Sequence, residues 1–289
     1  MFFKKLLNYF YVLDILRYIK SYSPIKLFIS IISKYSYYKN YKNSQKIYPF
    51  KRVFNNDFDK SGIIKIDNIL DISQETMRSI HDEFDEFDST IQFDYALGIY
   101  SKGNSHGQYV YLNKNRLVST GLIDKVMKSS SIKSLETHLG CYVNISHSVA
   151  FKVRAGDFVE KGSFIYHRDS YPEKTYKLII YLSDVLNPGD GEFFYIKGTH
   201  NKYNGFPQFG RSRSKNIDKK LSATPYFGKA GDALLFDVNG YHRGGRCVNK
   251  DRIVLVISFI PSTKESLSAF KESDFRSINE DEYRIFSPG

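Results

Sequence analysis

The chain of 289 residues can bury one large core, or one core and a small appendage. Its 42% hydrophobic and 25% charged content is ordinary for a globular protein, and two cysteines, Cys141 and Cys247, exclude a disulfide framework and fit a reducing, cytoplasmic setting. The net charge is +11, but residues 1–52 hold eleven Lys or Arg and a single acid, Asp14, so that segment carries +10 and the rest of the chain is close to neutral.

In chain order, residues 2–20 place Phe3, Leu6, Leu7, Phe10, Leu13 and Leu16 at three- and four-residue steps, which predicts a helix. A second short helix is expected over 25–38 after Pro24, and a polar connector over 37–46. We set the boundary near residue 50: a basic amphipathic helical extension over 1–50 and a main domain over 51–289. The uncharged run from Leu6 to Leu13 is too short to span a bilayer, which needs about 20 residues. No small-residue cleavage site follows it, so a secretory signal is not expected. Two readings of residues 1–46 stay open. Either the helices lie on the inner face of an anionic membrane, or they pack on the main domain with their lysines exposed. Nucleic acid is the weakest partner, because no recognition motif accompanies the charge.

The main domain opens with a strand over 62–66 and a helix over 72–88, started by Asp71 with Gln74. From there the chain reads as β, with strands expected over 109–112, 149–153, 163–167, 176–182, 192–196, 233–237 and 252–260. Turn signals such as Asn187-Pro188-Gly189-Asp190-Gly191 and Asn239-Gly240 separate them. Many short strands with such turns predict a sandwich or barrel, not alternating β/α units. Residues 201–224, rich in basic side chains, read as a long excursion that serves as a lid or substrate loop.

The chemistry centres on Phe164-Ile165-Tyr166-His167-Arg168-Asp169. On a strand, residues two apart share a face, so His167 and Asp169 can present an imidazole and a carboxylate to one metal. His242, beside the Asn239-Gly240 turn, is the expected third ligand. Two His and one carboxylate on one face of an octahedron leave open positions, the arrangement used by non-haem iron(II) oxygenases. His-x-Asp is a weak signal alone; His81-Asp82-Glu83 repeats it on a predicted helix, where such residues do not share a face, and reads as solvated surface. Arg252, ten residues after His242 at the start of an apolar strand, can hold the distal carboxylate of 2-oxoglutarate in a bidentate pair. His106, His138 and His147 fit no ligand pattern.

The runs from Tyr166 to His200 and from Gly228 to Phe259 resemble the phytanoyl-CoA dioxygenase superfamily: a His-x-Asp, an apolar strand, the segment Tyr181-Leu182-Ser183-Asp184-Val185, and a Gly198-Thr199-His200 end. The resemblance covers roughly residues 60–262. It implies a mainly β, α+β fold with a double-stranded β-helix, or jelly-roll, core. It also implies iron(II) on His167, Asp169 and His242 as the catalytic centre, and 2-oxoglutarate on Arg252. In that family His200 is structural. Several relatives carry a hydroxyl residue two positions after the distal His; this chain has Gly244 there, and Lys152 and Lys177 are the candidates to supply the missing 2-oxoglutarate contact. Related halogenases lack the carboxylate, so Asp169 favours hydroxylation. The expected activity is therefore hydroxylation of a C–H bond in a small-molecule, lipid or glycan-related substrate, with release of succinate and carbon dioxide. The rivals are a non-catalytic metal- or sugar-binding jelly roll and a zinc hydrolase using the same three ligands.

Overall fold

The structure is a computed structural model and describes residues 38–39, 41–53, 55–70, 74–86, 91–94, 99–102, 109–111, 117, 120–156, 162–169, 175–202 and 222–263. The helices expected over 2–20 and 25–37, His106, and the excursion over 203–221 lie outside the described residues, and so does the proposed cap at Asp71.

In chain order the named elements are α1 (Asn56–Ser61), β1 (Ile63–Ile66), α2 (Gln74–Glu86), β2 (Ile91–Asp94), β3 (Ile99–Lys102), β4 (Tyr109–Tyr111), α3 (Leu122–Met127), α4 (Ser130–Leu139), β5 (Tyr142–Val153), β6 (Tyr176–Tyr181), β7 (Phe193–Tyr195), β8 (Thr224–Tyr226), β9 (Ala233–Asp237), β10 (His242–Gly244) and β11 (Arg252–Ser262). The fold is a jelly roll. A large sheet runs β1-β9-β6-β11-β5-β4, a small sheet runs β10-β7-β8, and β2 with β3 forms a separate pair. Every named pairing is antiparallel.

β11 is the spine. It pairs with β5 from Arg252 to Ser262 and with β6 from Val254 to Phe259. Its first residues, Arg-Ile-Val-Leu-Val-Ile, are mostly β-branched, as a central strand favours. Burial along it is almost unbroken, because both faces of the large sheet are covered. On one face Leu178, Ile180, Ala233, Leu235, Ile253, Leu255 and Ile257 pack with Leu122, Val126, Leu135 and Leu139 of α3 and α4. On the other face Ile63, Tyr181, Leu234, Phe236 and Val254 meet Phe193 and Tyr195 of the small sheet. This second core is the inside of the jelly roll.

Three local expectations change. The stretch after residue 88 is not all β: α3 and α4 intervene, and Leu122, Ile123, Val126, Ile132, Leu135 and Leu139 are buried at helical spacing. The strand expected over 163–167 is instead a 3-10 turn, Gly162–Phe164, followed by a single bridge residue, His167. Only His167 meets the edge of β10; two residues later the Asp169 amide donates to the Val238 carbonyl at 3.2 Å, and the chain leaves the sheet. The stretch read as a connector is helical over residues 41–47. Its inner side is tied down by Tyr41, whose hydroxyl donates to the Leu139 carbonyl at 3.4 Å, and by Ser44, which donates to the Ser262 carbonyl. Tyr48 is buried just after it.

Gly62 shows how closely the layers approach. It ends α1 at φ +77°, and a Cβ there would lie 2.4 Å from His200 Nδ1 and 2.5 Å from the Tyr195 hydroxyl.

Leu255 is fully buried where β11 faces the helices. Leu255→Ala is expected to lower unfolding free energy by about 2–5 kcal/mol, measured by chemical denaturation; a loss under about 1 kcal/mol would contradict the layered core.

Candidate metal centre

His242 starts β10, on the edge of the small sheet, and His167 lies beside it in a two-way backbone bridge: each amide donates to the other's carbonyl at 3.0 Å. The two rings sit 4.4 Å apart between centroids. Each Nδ1 is tied to a nearby carbonyl, His167 to Ile165 at 2.8 Å and His242 to Gly240 at 2.9 Å. A carbonyl only accepts, so both protons sit on Nδ1 and both Nε2 lone pairs are left for a ligand. Asp169 supplies the carboxylate: Oδ1 is 3.4 Å from His167 Nε2 and Oδ2 is 3.6 Å from His242 Nε2. The three donor atoms lie within 4.8 Å of one another, a cluster able to hold one metal ion. Both histidines are 4% exposed. Phe193 and Phe236 stack near the His242 ring at 5.8 and 5.0 Å, so an apolar wall flanks the site.

Lys177 is brought into this cluster. Its ammonium donates to Asp169 Oδ2 at 2.6 Å. Burial works to raise the Asp169 pKa, but the Lys177 ammonium beside it outweighs burial and holds the carboxyl well below the usual carboxylate range. Asp169 is therefore already an anion. Lys152 is not brought to the site. In the ladder it pairs with Ile253, on the helix-covered face of the large sheet, whereas Arg252 pairs with Val153 on the inner face.

Arg252 is 6% exposed. Its Nη1 donates to the Gly191 carbonyl, its Nε has no hydrogen-bond partner, and it makes no ion pair among the described residues. A buried guanidinium with spare donors is costly unless an anion completes it. Gly244 lies against it: a Cβ there would be 3.5 Å from Arg252 Nη2. Since Gly244 follows His242 by two residues on β10, it shares that residue's face, which places Arg252 on the metal-facing side of the small sheet. Tyr181 is fully buried in the same inner core. Burial pushes its phenol pKa upward against the pull of Arg252, so it stays neutral, and its hydroxyl donates to the Tyr226 carbonyl at 2.9 Å.

Two supports were not visible as functional signals in the sequence. Thr199, within Gly198-Thr199-His200, holds both ligand segments: its hydroxyl accepts from the Tyr241 amide at 2.9 Å, and its carbonyl accepts from Arg168 at 2.8 Å. Gly191, at φ +88°, lets its carbonyl meet Arg252; a Cβ there would lie 2.5 Å from Cys247 Sγ and 3.1 Å from Arg252 Cδ. Two histidines are placed away from the metal cluster. His200 donates through Nε2 to the Asp59 carbonyl at 3.0 Å. His81 is not solvated surface: its Nε2 donates to the Leu182 carbonyl at 2.9 Å, fastening α2 to the end of β6.

No protein-family model matches the chain, and no curated protein matches it by sequence. Among solved structures it is similar to the non-haem α-ketoglutarate-dependent epimerase SnoN from nogalamycin biosynthesis, at TM-score 0.52 and 12% identity over 71% of this chain and 80% of that one. It is similar as well to the α-ketoglutarate-dependent carbocyclase SnoK of the same biosynthesis, at TM-score 0.50 and 13% identity over 74% and 89%. SnoN has been crystallised with Fe3+, α-ketoglutarate and nogalamycin RO. At these identities the likeness establishes the fold alone: this chain has the jelly roll that SnoN and SnoK share.

Asp190 holds the turn that presents Gly191. Its carboxylate accepts from the amides of Leu186 and Asn187, from Asn249, and faces Lys250 at 3.4 Å. Burial opposes ionisation, but these donors bring its pKa down to about 2. The folded-state value is depressed, so its contribution is present above the unfolded value of about 3.9 and is lost as pH falls toward 2. Asp190→Asn is expected to lower the melting temperature at neutral pH by about 2–8 °C, for a loss of ~1–2 kcal/mol, and to flatten the acid-side decline between about pH 4 and pH 2. Melting curves across that range check it.

Proposed function

We propose that this chain is an iron(II)- and 2-oxoglutarate-dependent oxygenase of the phytanoyl-CoA dioxygenase type that hydroxylates a C–H bond of a small-molecule substrate. The observation that carries the reading is the pairing of two features inside one core: a His167–Asp169–His242 cluster with both Nε2 lone pairs available, and a buried Arg252 that makes no ion pair among the described residues. A zinc hydrolase or a bare metal-binding jelly roll would use the first feature and leave the second without a purpose. The sequence blocks around His167 and His242 support the family. Asp169, the carboxylate that related halogenases lack, supports hydroxylation. A reducing, cytoplasmic location is part of this proposal, supported by two buried thiols, Cys141 and Cys247.

When bound, iron(II) with 2-oxoglutarate would supply the oxidising power for C–H activation, with succinate and carbon dioxide as the by-products. The residues of this chain do the rest. His167, Asp169 and His242 would hold the metal through two imidazoles and one carboxylate. Arg252 would receive the distal carboxylate, which would give its Nε an acceptor. Lys177, a candidate from the sequence for a further 2-oxoglutarate contact, donates to Asp169 and so keeps that carboxylate charged and oriented. Phe193 and Phe236 exclude water from the reacting side.

Calorimetric titration of 2-oxoglutarate into protein loaded with redox-inert Mn(II) tests this. Saturable one-to-one binding is expected, and His167→Ala or Asp169→Ala should abolish it along with succinate release on addition of iron(II) and air. Arg252→Met should weaken 2-oxoglutarate about 10- to 100-fold, ~1.5–3 kcal/mol, while the melting temperature of the metal-free protein stays within a few degrees, since a buried cation without an anion is replaced by an apolar chain. No binding to the intact, metal-loaded protein would refute the reading.

A further inference from the structure

The chemistry above leaves unused the surface built by residues 38–53. Four of the six large hydrophobic side chains that are exposed among the described residues fall in these sixteen positions: Tyr38 at 39%, Ile47 at 51%, Phe50 at 52% and Val53 at 62% exposure. Scattered exposed apolar residues are normal; a local concentration marks a contact surface. Interleaved with them are the exposed Lys39, Lys42, Lys46 and Lys51. Lys133, from α4, adds a fifth ammonium, 4.2 Å from the centre of the Phe50 ring.

The surface is rigidly attached. The inner side of the helix over 41–47 is fixed to the ends of α4 and β11 by Tyr41 and Ser44. Gln45 bonds the Tyr41 hydroxyl at 2.9 Å, and Tyr48 packs edge-on to Tyr142 at 5.1 Å and to Phe50 at 5.6 Å. Residues 42, 46 and 47 are then presented outward on a helix that cannot roll inward to bury them.

The charge pattern selects the partner. No acidic residue occurs between Asp14 and Asp57. Residues 1–37 carry Lys4, Lys5, Arg17, Lys20, Lys26 and Lys34 against the single Asp14. A segment so basic is repelled by a surface that is itself basic, and a second copy of the chain presenting the same surface is repelled for the same reason. What suits both is a partner that is anionic and also accepts apolar side chains. A phosphate backbone offers only the first property. An anionic phospholipid surface offers both: lysines in the headgroup layer and Ile47, Phe50 and Val53 at the acyl boundary.

We propose that residues 38–53 form a docking surface for an anionic lipid bilayer, continuous with the basic, apolar residues 1–37, and that it seats the jelly roll against the membrane.

The test is flotation of the full chain with phosphatidylcholine vesicles, with and without phosphatidylglycerol, at low and high salt. The wild type is expected to float with the phosphatidylglycerol vesicles, weakly with phosphatidylcholine alone, and less as salt rises. Ile47→Glu with Val53→Glu should reduce the partition at least tenfold, and Lys42→Glu with Lys46→Glu at least as much, since each lysine lost is worth about fivefold at such a surface. Both variants should keep the wild-type melting temperature and 2-oxoglutarate affinity, so a misfolded variant is recognised. Flotation needs neither iron nor 2-oxoglutarate, so its outcome is independent of the metal-centre reading. The proposal is overturned if the wild type ignores phosphatidylglycerol, if both variants float like the wild type, or if the wild type prefers a single-stranded oligonucleotide to the vesicles. It is overturned too if the variants change only the oligomeric state.

Discussion

The site depends on one backbone contact, the bridge between His167 and His242. These residues are 75 positions apart, on segments that share no continuous strand. Two amide-to-carbonyl bonds of 3.0 Å fix them side by side and set their rings 4.4 Å apart. Around the bridge, main-chain carbonyls set both imidazoles: those of Ile165 and Gly240 take the Nδ1 protons, and the Val238 carbonyl takes the Asp169 amide. Main-chain acceptors cannot rotate, so the two imidazoles are preorganised by the fold itself. Thr199 then locks the pair from behind, bonding the Tyr241 amide and the Arg168 guanidinium.

The same economy governs the opposite wall. Arg252 enters from the large sheet, the histidines from the small one, and the inner core lies between them. The arginine is aimed by a carbonyl at Gly191, a residue held in a left-handed conformation by a turn whose charged cap is Asp190. Electrostatically the two ends complement each other. The metal end carries the Asp169 anion, compensated by Lys177, and the far end carries the buried Arg252 cation, which makes no ion pair among the described residues. A dianion with one end for a metal and one for a guanidinium fits that field; a neutral sugar does not.

Much of this was legible in the sequence because it is carried by side-chain identity and spacing. The apolar run after Arg252, the turn residues and the His-x-Asp segment pointed to a β sandwich or barrel and to the four central residues. What was not legible is carried by the backbone or by long-range pairing. The three-residue strands β8 and β10 are too short for a periodic pattern, and His167 needs only one bridge, so a regular strand was inferred where there is a 3-10 turn. α3 and α4 do show helical spacing at Leu122, Val126, Ile132, Leu135 and Leu139, but Ser and Lys between them blurred it. Lys152 and Lys177 looked equivalent; only the strand register separates them, one onto the helix-covered face and one onto Asp169. His81 looked solvated because nothing local reveals its acceptor, a carbonyl 101 residues away.

The central claim is that metal and 2-oxoglutarate meet between His167, Asp169, His242 and Arg252. Visible absorbance of the full chain with iron(II) and 2-oxoglutarate, taken without oxygen, reads that meeting directly. A metal-to-ligand charge-transfer band is expected that saturates with 2-oxoglutarate, vanishes in His242→Ala, and needs much more 2-oxoglutarate in Arg252→Met. Absence of the band in the intact protein, or an unchanged titration in Arg252→Met, would contradict it.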